Sequence, residues 1–96
     1  MRILTAALLL AFVAGAAQAA PPGAGQKAEF YKVCVSISQN VPLCTCKADA
    51  AMKLIDADFM AVVIASMKGT PVESRYYDAY NDYIARSTQA CGMGGV

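Results

Sequence analysis

Four cysteines are the residues of this chain best suited to chemistry: Cys34, the close pair in Cys44-Thr45-Cys46, and Cys91. Sulfur at these positions can do one of two things. In an oxidising compartment, an even cysteine count in a short chain reads as a disulfide framework. As thiols, Cys34, Cys44 and Cys46 would instead offer soft ligands for copper(I), with Met52, Met60 and Met67 at helical intervals nearby. Core packing accounts for the methionines without a metal. The sequence reading is therefore a disulfide framework, with no metal and no cofactor.

Four cysteines allow three pairings. A Cys44–Cys46 bond would close a strained ring around one residue. If the first two helices turn at residues 40–42, Cys46 lies nearer the level of Cys34 than Cys44 does, at ~1.5 Å of rise per residue. The favoured pairing is therefore Cys34–Cys46 with Cys44–Cys91. On the loop-closure account, a bridge from Cys34 to the central pair is worth about 3 kcal/mol, and one to Cys91 about 4 kcal/mol. Cys34 and Cys44 also enclose nine residues. That spacing resembles half of the twin Cx9C pattern of small mitochondrial coiled-coil-helix proteins. The second half is missing and Cys46 has no place in the pattern, so no property is carried over.

Other chemistries are poorly supplied. The chain has no histidine, which removes Ser-His and Cys-His nucleophile pairs and histidine metal sites. There is no Gly-rich phosphate loop, CxxC redox motif or calcium loop. Asp56 and Asp58 stand at a helix start, where capping explains them. No catalytic residue is assigned and the chain reads as a non-enzyme. The second candidate site is aromatic. Tyr76, Tyr77, Tyr80 and Tyr83 crowd into one segment, with Tyr31 elsewhere. Tyrosine is frequent in binding hot spots, so the four form a candidate partner surface. Tyr76, Tyr80 and Tyr83 share a face with Ser87 and Cys91, which fits a core stripe equally well. Tyr77 lies off that stripe and is expected to be exposed.

The elements that position these residues read as an all-α, disulfide-stapled bundle of about four helices. They cover about 27–38, 42–55, 57–68 and 71–90. In the first, Phe30, Val33, Cys34 and Ile37 fall on one face. The second carries two apolar stripes, Cys44/Ala48/Ala51/Ile55 and Leu43/Ala50/Leu54 bordered by Cys46, with Asp49, Lys53 and Asp56 between them. That pattern predicts a central helix packed on two sides. The third is apolar nearly all round and so should be buried. Asp56 caps it, and Lys68-Gly69 ends it. Thr70-Pro71-Val72-Glu73 reads as a capping box that opens the fourth helix. In the fourth helix, Arg75, Asp78, Asp82 and Arg86 oppose the tyrosine stripe. A bridge from Cys91 to the central pair requires the short third helix to cross the others, returning the end of the fourth to the corner where the first two meet.

The N-terminus sets the compartment. Arg2, the apolar run 3–13 and Ala17-Gln18-Ala19 read as a signal peptide of residues 1–19 cleaved after Ala19. Residues 20–26 read as a disordered Pro/Gly linker, 27–91 as a single helical domain and 92–96 as a flexible tail. Loss of Arg2 leaves the basic residues balanced against seven acidic ones. A neutral chain without a basic cluster is a poor ligand for nucleic acid or an anionic membrane. The expectation is a monomeric, periplasmic or secreted protein with no stable membrane anchor after cleavage. Its expected role is protein–protein interaction, as an inhibitor-like or stress-related factor. The alternative is a carrier of copper or of a small apolar ligand, held in a cavity lined by Phe59, Val63 and Met67.

Overall fold

The computed structural model describes residues 20–92. The expected signal peptide and residues 93–96 of the expected tail lie outside the described residues. Regular structure among the described residues is entirely helical: α1 (Ala24–Ser38), α2 (Val41–Leu54), α3 (Ala57–Met67), and a single 3-10 turn (Ser74–Tyr76) leading into α4 (Tyr77–Cys91). No helix among them is long and apolar enough to cross a membrane.

Short polar residues set most of the boundaries. Gln39 ends α1 in the left-handed conformation, with φ of 55°. Asn40 caps α2, its Oδ1 accepting from Leu43 N at 3.1 Å. Pro42 then sits in the first turn, where its missing amide proton costs nothing. Asp56 caps α3 by accepting from Phe59 N at 2.8 Å. Gly69 follows α3 with φ of 107°, a conformation that β-carbon-bearing residues avoid.

Two expected boundaries and one expected core residue are corrected. Residues 20–26 are not a disordered linker. Pro22 is buried, α1 already begins at Ala24, and the Ala20 carbonyl accepts from Ala57 N at 2.8 Å. Gln26 completes this clasp. Its Oε1 accepts from Gly23 N at 3.3 Å and its Nε2 donates to Ala57 O at 2.8 Å. The fourth α-helix does not start at Pro71 either. Residues 70–73 form no regular secondary structure, and Glu73 is extended, at φ −67° and ψ 146°. Thr70 N bonds back to Ala65 O at 2.9 Å, and the Glu73 carboxylate takes Arg75 Nε at 2.9 Å. The local capping signal yields here because the chain needs extended residues to carry it from the end of α3 to the start of α4. Finally, Ile37 does not face the core. It is 51% exposed in the last turn of α1.

As its two apolar stripes predict, α2 packs against both α1 and α4. Ala48 and Ala51 are buried there, and their small side chains let the helix axes approach closely. α3 packs on α1. Its first residue meets Gln26, and Lys68 just past its end pairs with Glu29, less than one α1 turn further on. An 11-residue helix is ~16 Å long, whereas three residues of α1 rise ~4.5 Å, so α3 runs across α1 and not along it. That crossing brings α4 back antiparallel to α2. The core beneath comprises Phe30, Cys34, Cys44, Ala48, Ala51, Met60, Val63, Ile64 and Tyr83. Each large apolar side chain in it contributes roughly 1.5–3 kcal/mol through burial.

Candidate functional site

The Cys-Thr-Cys stretch lies in the first two turns of α2. Residues two apart on a helix differ by ~200° in direction but only ~3 Å in height. Cys44 therefore faces α1 and Cys46 faces α4. The bridges are Cys34–Cys44 and Cys46–Cys91, each with Cα atoms 5.7 Å apart. This corrects the expected Cys34–Cys46 and Cys44–Cys91 pairing. Height along the hairpin was the wrong criterion, because direction around α2 decides which partner each sulfur meets. The long bridge does return the end of α4 to the α1–α2 corner. With all four sulfurs in bridges, the thiolate set for copper(I) does not form. No cluster of three or more His, Cys, Asp or Glu side chains suited to a metal ion occurs among the described residues.

Immediately after Cys44-Thr45-Cys46, the α2–α4 seam holds a polar core that the apolar stripes do not announce. Lys47 and Ser87 are both fully buried, and Lys47 Nζ donates to Ser87 Oγ at 3.3 Å. Ser87 Oγ in turn donates to Ile84 O at 3.2 Å. Tyr83 is 2% exposed, and its hydroxyl has no hydrogen-bond partner among the described residues. Burial lowers the Lys47 pKa from its ordinary value. Burial likewise pushes the Tyr83 hydroxyl up to about 12, with nearby Ser87 tempering the rise and Tyr80 adding to it. A serine beside a lysine of lowered pKa has the composition of a nucleophile–base pair. Here both side chains are closed off from solvent. The signal for it lay in the sequence: Lys47 fills the i+4 position of the Leu43/Ala50/Leu54 stripe, and Ser87 that of the tyrosine stripe.

The tyrosines divide between core and surface. Tyr83 is buried in the core and drops out of the expected partner surface. Tyr80 is half-buried, its hydroxyl 3.2 Å from Ser66 Oγ of α3. Tyr76 is half-buried against Phe59, with ring centroids 5.8 Å apart, and carries the Arg75 guanidinium 4.7 Å from its own ring centroid. Tyr77, off the stripe, is 53% exposed. Phe59, Val63 and Met67, the expected cavity lining, all belong to the packed core or lie against it. Val63 is packed in the core and Met67 against it, while Phe59 lines a surface groove.

That groove is one end of a longer trough between α2 and α4. Its main section, about 540 Å³, is open to solvent. Pro42, Cys46, Ala50 and Leu54 form one wall at four-residue steps, and Arg86 and Ala90 form the other. Leu54 and Arg86 continue into a second section of about 240 Å³ that reaches Phe59 and Ala79. Lys53 stands on the rim of the main section. Arg86 Nε pairs with Asp82 at 3.0 Å, one turn earlier on α4. Asp49, also on the rim, is drawn to the far side by Lys27 at 2.7 Å. That hydrogen bond and the Lys27 charge lower the Asp49 pKa. The trough thus runs between two helices, with Ala50 and Ala90 on its walls and Lys53 and Arg86 beside them. Comparison with family models, with curated proteins and with solved structures finds no match to this chain.

Proposed function

We infer that this protein is an exported, non-enzymatic interaction module of the inhibitor-like or stress-related kind. On this reading its α2–α4 trough receives an amphipathic segment of another protein. The observation that carries it is the trough itself, an open channel with Pro42, Cys46, Ala50 and Leu54 along one wall and Arg86 and Ala90 along the other. The small side chains of Ala50 and Ala90 favour close approach of a helical apolar face. Lys53 on the rim, with Arg86 opposite, favours a segment that carries a carboxylate beside its apolar residues. Two disulfides in so short a chain support residence outside the cytosol, in the periplasm or beyond the cell.

The test is capture from periplasmic extract on the immobilised oxidised chain, run in parallel with Ala90→Arg and Lys53→Glu. Both positions are exposed, so the fold should tolerate the changes. One stoichiometric partner, retained by the parent chain and lost by both variants, supports the trough. A partner held equally well by the variants rules it out.

A further inference from the structure

The two disulfides differ in what surrounds them. Cys34 and Cys44 are fully buried in the core, and Ser38 Oγ lies 3.1 Å from Cys44 Sγ. Cys46 and Cys91 are both partly exposed, and Cys46 lines the α2–α4 trough. The second bridge is therefore the more accessible of the two to a small thiolate, and the first is closed to it while the core stays packed. The bridges also differ in what they hold. Cys34–Cys44 joins two helices that already share the core. Cys46–Cys91 holds the end of α4, whose last residues bury little. Ala85, Arg86, Gln89 and Ala90 are exposed, and Ser87 is the one fully buried side chain from 85 to 91. Thr88 Oγ1 is buried there without a hydrogen-bond partner among the described residues, so hydration would relieve it.

From this asymmetry we propose that Cys46–Cys91 is a redox latch on α4, opened by thiol–disulfide exchange with a dithiol reductant while Cys34–Cys44 stays closed. One thiolate of the reductant attacks Cys46 Sγ from the trough, forming a mixed disulfide and releasing the Cys91 thiolate, which takes a proton from water. The second thiol of the reductant, having lost its proton, attacks its partner sulfur in the mixed disulfide and releases the Cys46 thiolate, which is protonated in turn. The reductant leaves as a disulfide and the protein gains two thiols. The last two turns of α4 then detach, admitting water to Ser87 and Thr88 and removing one wall of the trough. This inference does not depend on what, if anything, the trough binds.

The experiment is graded reduction of the oxidised mature chain with dithiothreitol, quenched by alkylation and read by mass spectrometry and hydrogen exchange. A two-thiol species labelled at Cys46 and Cys91 is expected to form on the order of tenfold faster than any label appears on Cys34 and Cys44. In that species, and in the double variant Cys46→Ser/Cys91→Ser, amides of residues 86–91 should exchange on the order of tenfold faster while those of α1 and α2 keep their protection. Three results overturn the latch: Cys34–Cys44 opening first or together with the other bridge, unchanged exchange over 86–91, or loss of protection throughout the chain.

Discussion

Lys47 Nζ and Ser87 Oγ meet at 3.3 Å inside the α2–α4 seam, both closed off from solvent, with the Tyr83 ring buried in the core one helical turn before Ser87. A lysine amine and a tyrosine hydroxyl in one buried seam titrate in opposite senses. The Lys47 pKa is lowered on folding, so between that lowered value and 10.5 the unfolded chain holds the extra proton and stability rises with pH. The Tyr83 pKa is raised from 10.0 to about 12, so its contribution is intact below pH 10 and is lost as pH climbs towards 12.

The first prediction follows from these two signs. Urea unfolding measured across alkaline pH should show stability rising to a maximum near pH 10 and then falling by about 2–3 kcal/mol. Lys47→Met should flatten the rise and Tyr83→Phe should flatten the fall. A profile unchanged by either substitution would remove both residues from the seam.

Removing the long bridge should cost more than removing the short one. The separations are 45 and 10 residues. Chain entropy then gives about 4 kcal/mol for Cys46→Ser/Cys91→Ser and about 3 kcal/mol for Cys34→Ser/Cys44→Ser. Calorimetry under non-reducing conditions measures both. Equal losses would mean that native contacts, and not loop closure, dominate the difference.

Pairing has its own test. In Cys91→Ser a single reactive thiol should appear, and alkylation followed by peptide mapping should place it on Cys46. Label on Cys44 would restore the alternative connectivity.

Helix caps give the fourth prediction. Asn40→Ala and Asp56→Ala each remove a side-chain acceptor for a first-turn amide and should each lower stability by about 1 kcal/mol. Thr70→Ala should fall within about 0.5 kcal/mol of the parent, because residues 70–73 are not helical and Thr70 caps no helix. Chemical denaturation of the three variants decides between the two readings of that segment.

The helical count and the central place of α2 were legible in the sequence because each rests on periodicity within one element. The same holds for Asp56 and Gly69, whose effects are local. What failed depends on how elements meet. Thr70 to Glu73 carry good helix-start chemistry, yet the span from α3 to α4 requires extended backbone. Ile37 has the right period for the core, but the core ends before the helix does. The cysteine pairing needed the direction each sulfur takes around α2, and Lys47 was passed over because a charged residue in an apolar stripe reads as an interruption. The trough left only a faint trace, the four-residue spacing of Pro42, Cys46, Ala50 and Leu54.

The opposed directions of Cys44 and Cys46 bear on how the chain is oxidised as it emerges. Translocation with the N-terminus leading would present Cys34, Cys44 and Cys46 before Cys91, three sulfurs with two ways to make the early bond. An unwound segment offers Cys44 and Cys46 to Cys34 almost equally, whereas one wound turn of α2 sends them to opposite sides of the helix. Fidelity of sulfur pairing in this protein is thus delegated to coiling of the backbone, and a substitution that delays winding at residues 41–47 should raise the yield of mispaired product without touching a cysteine.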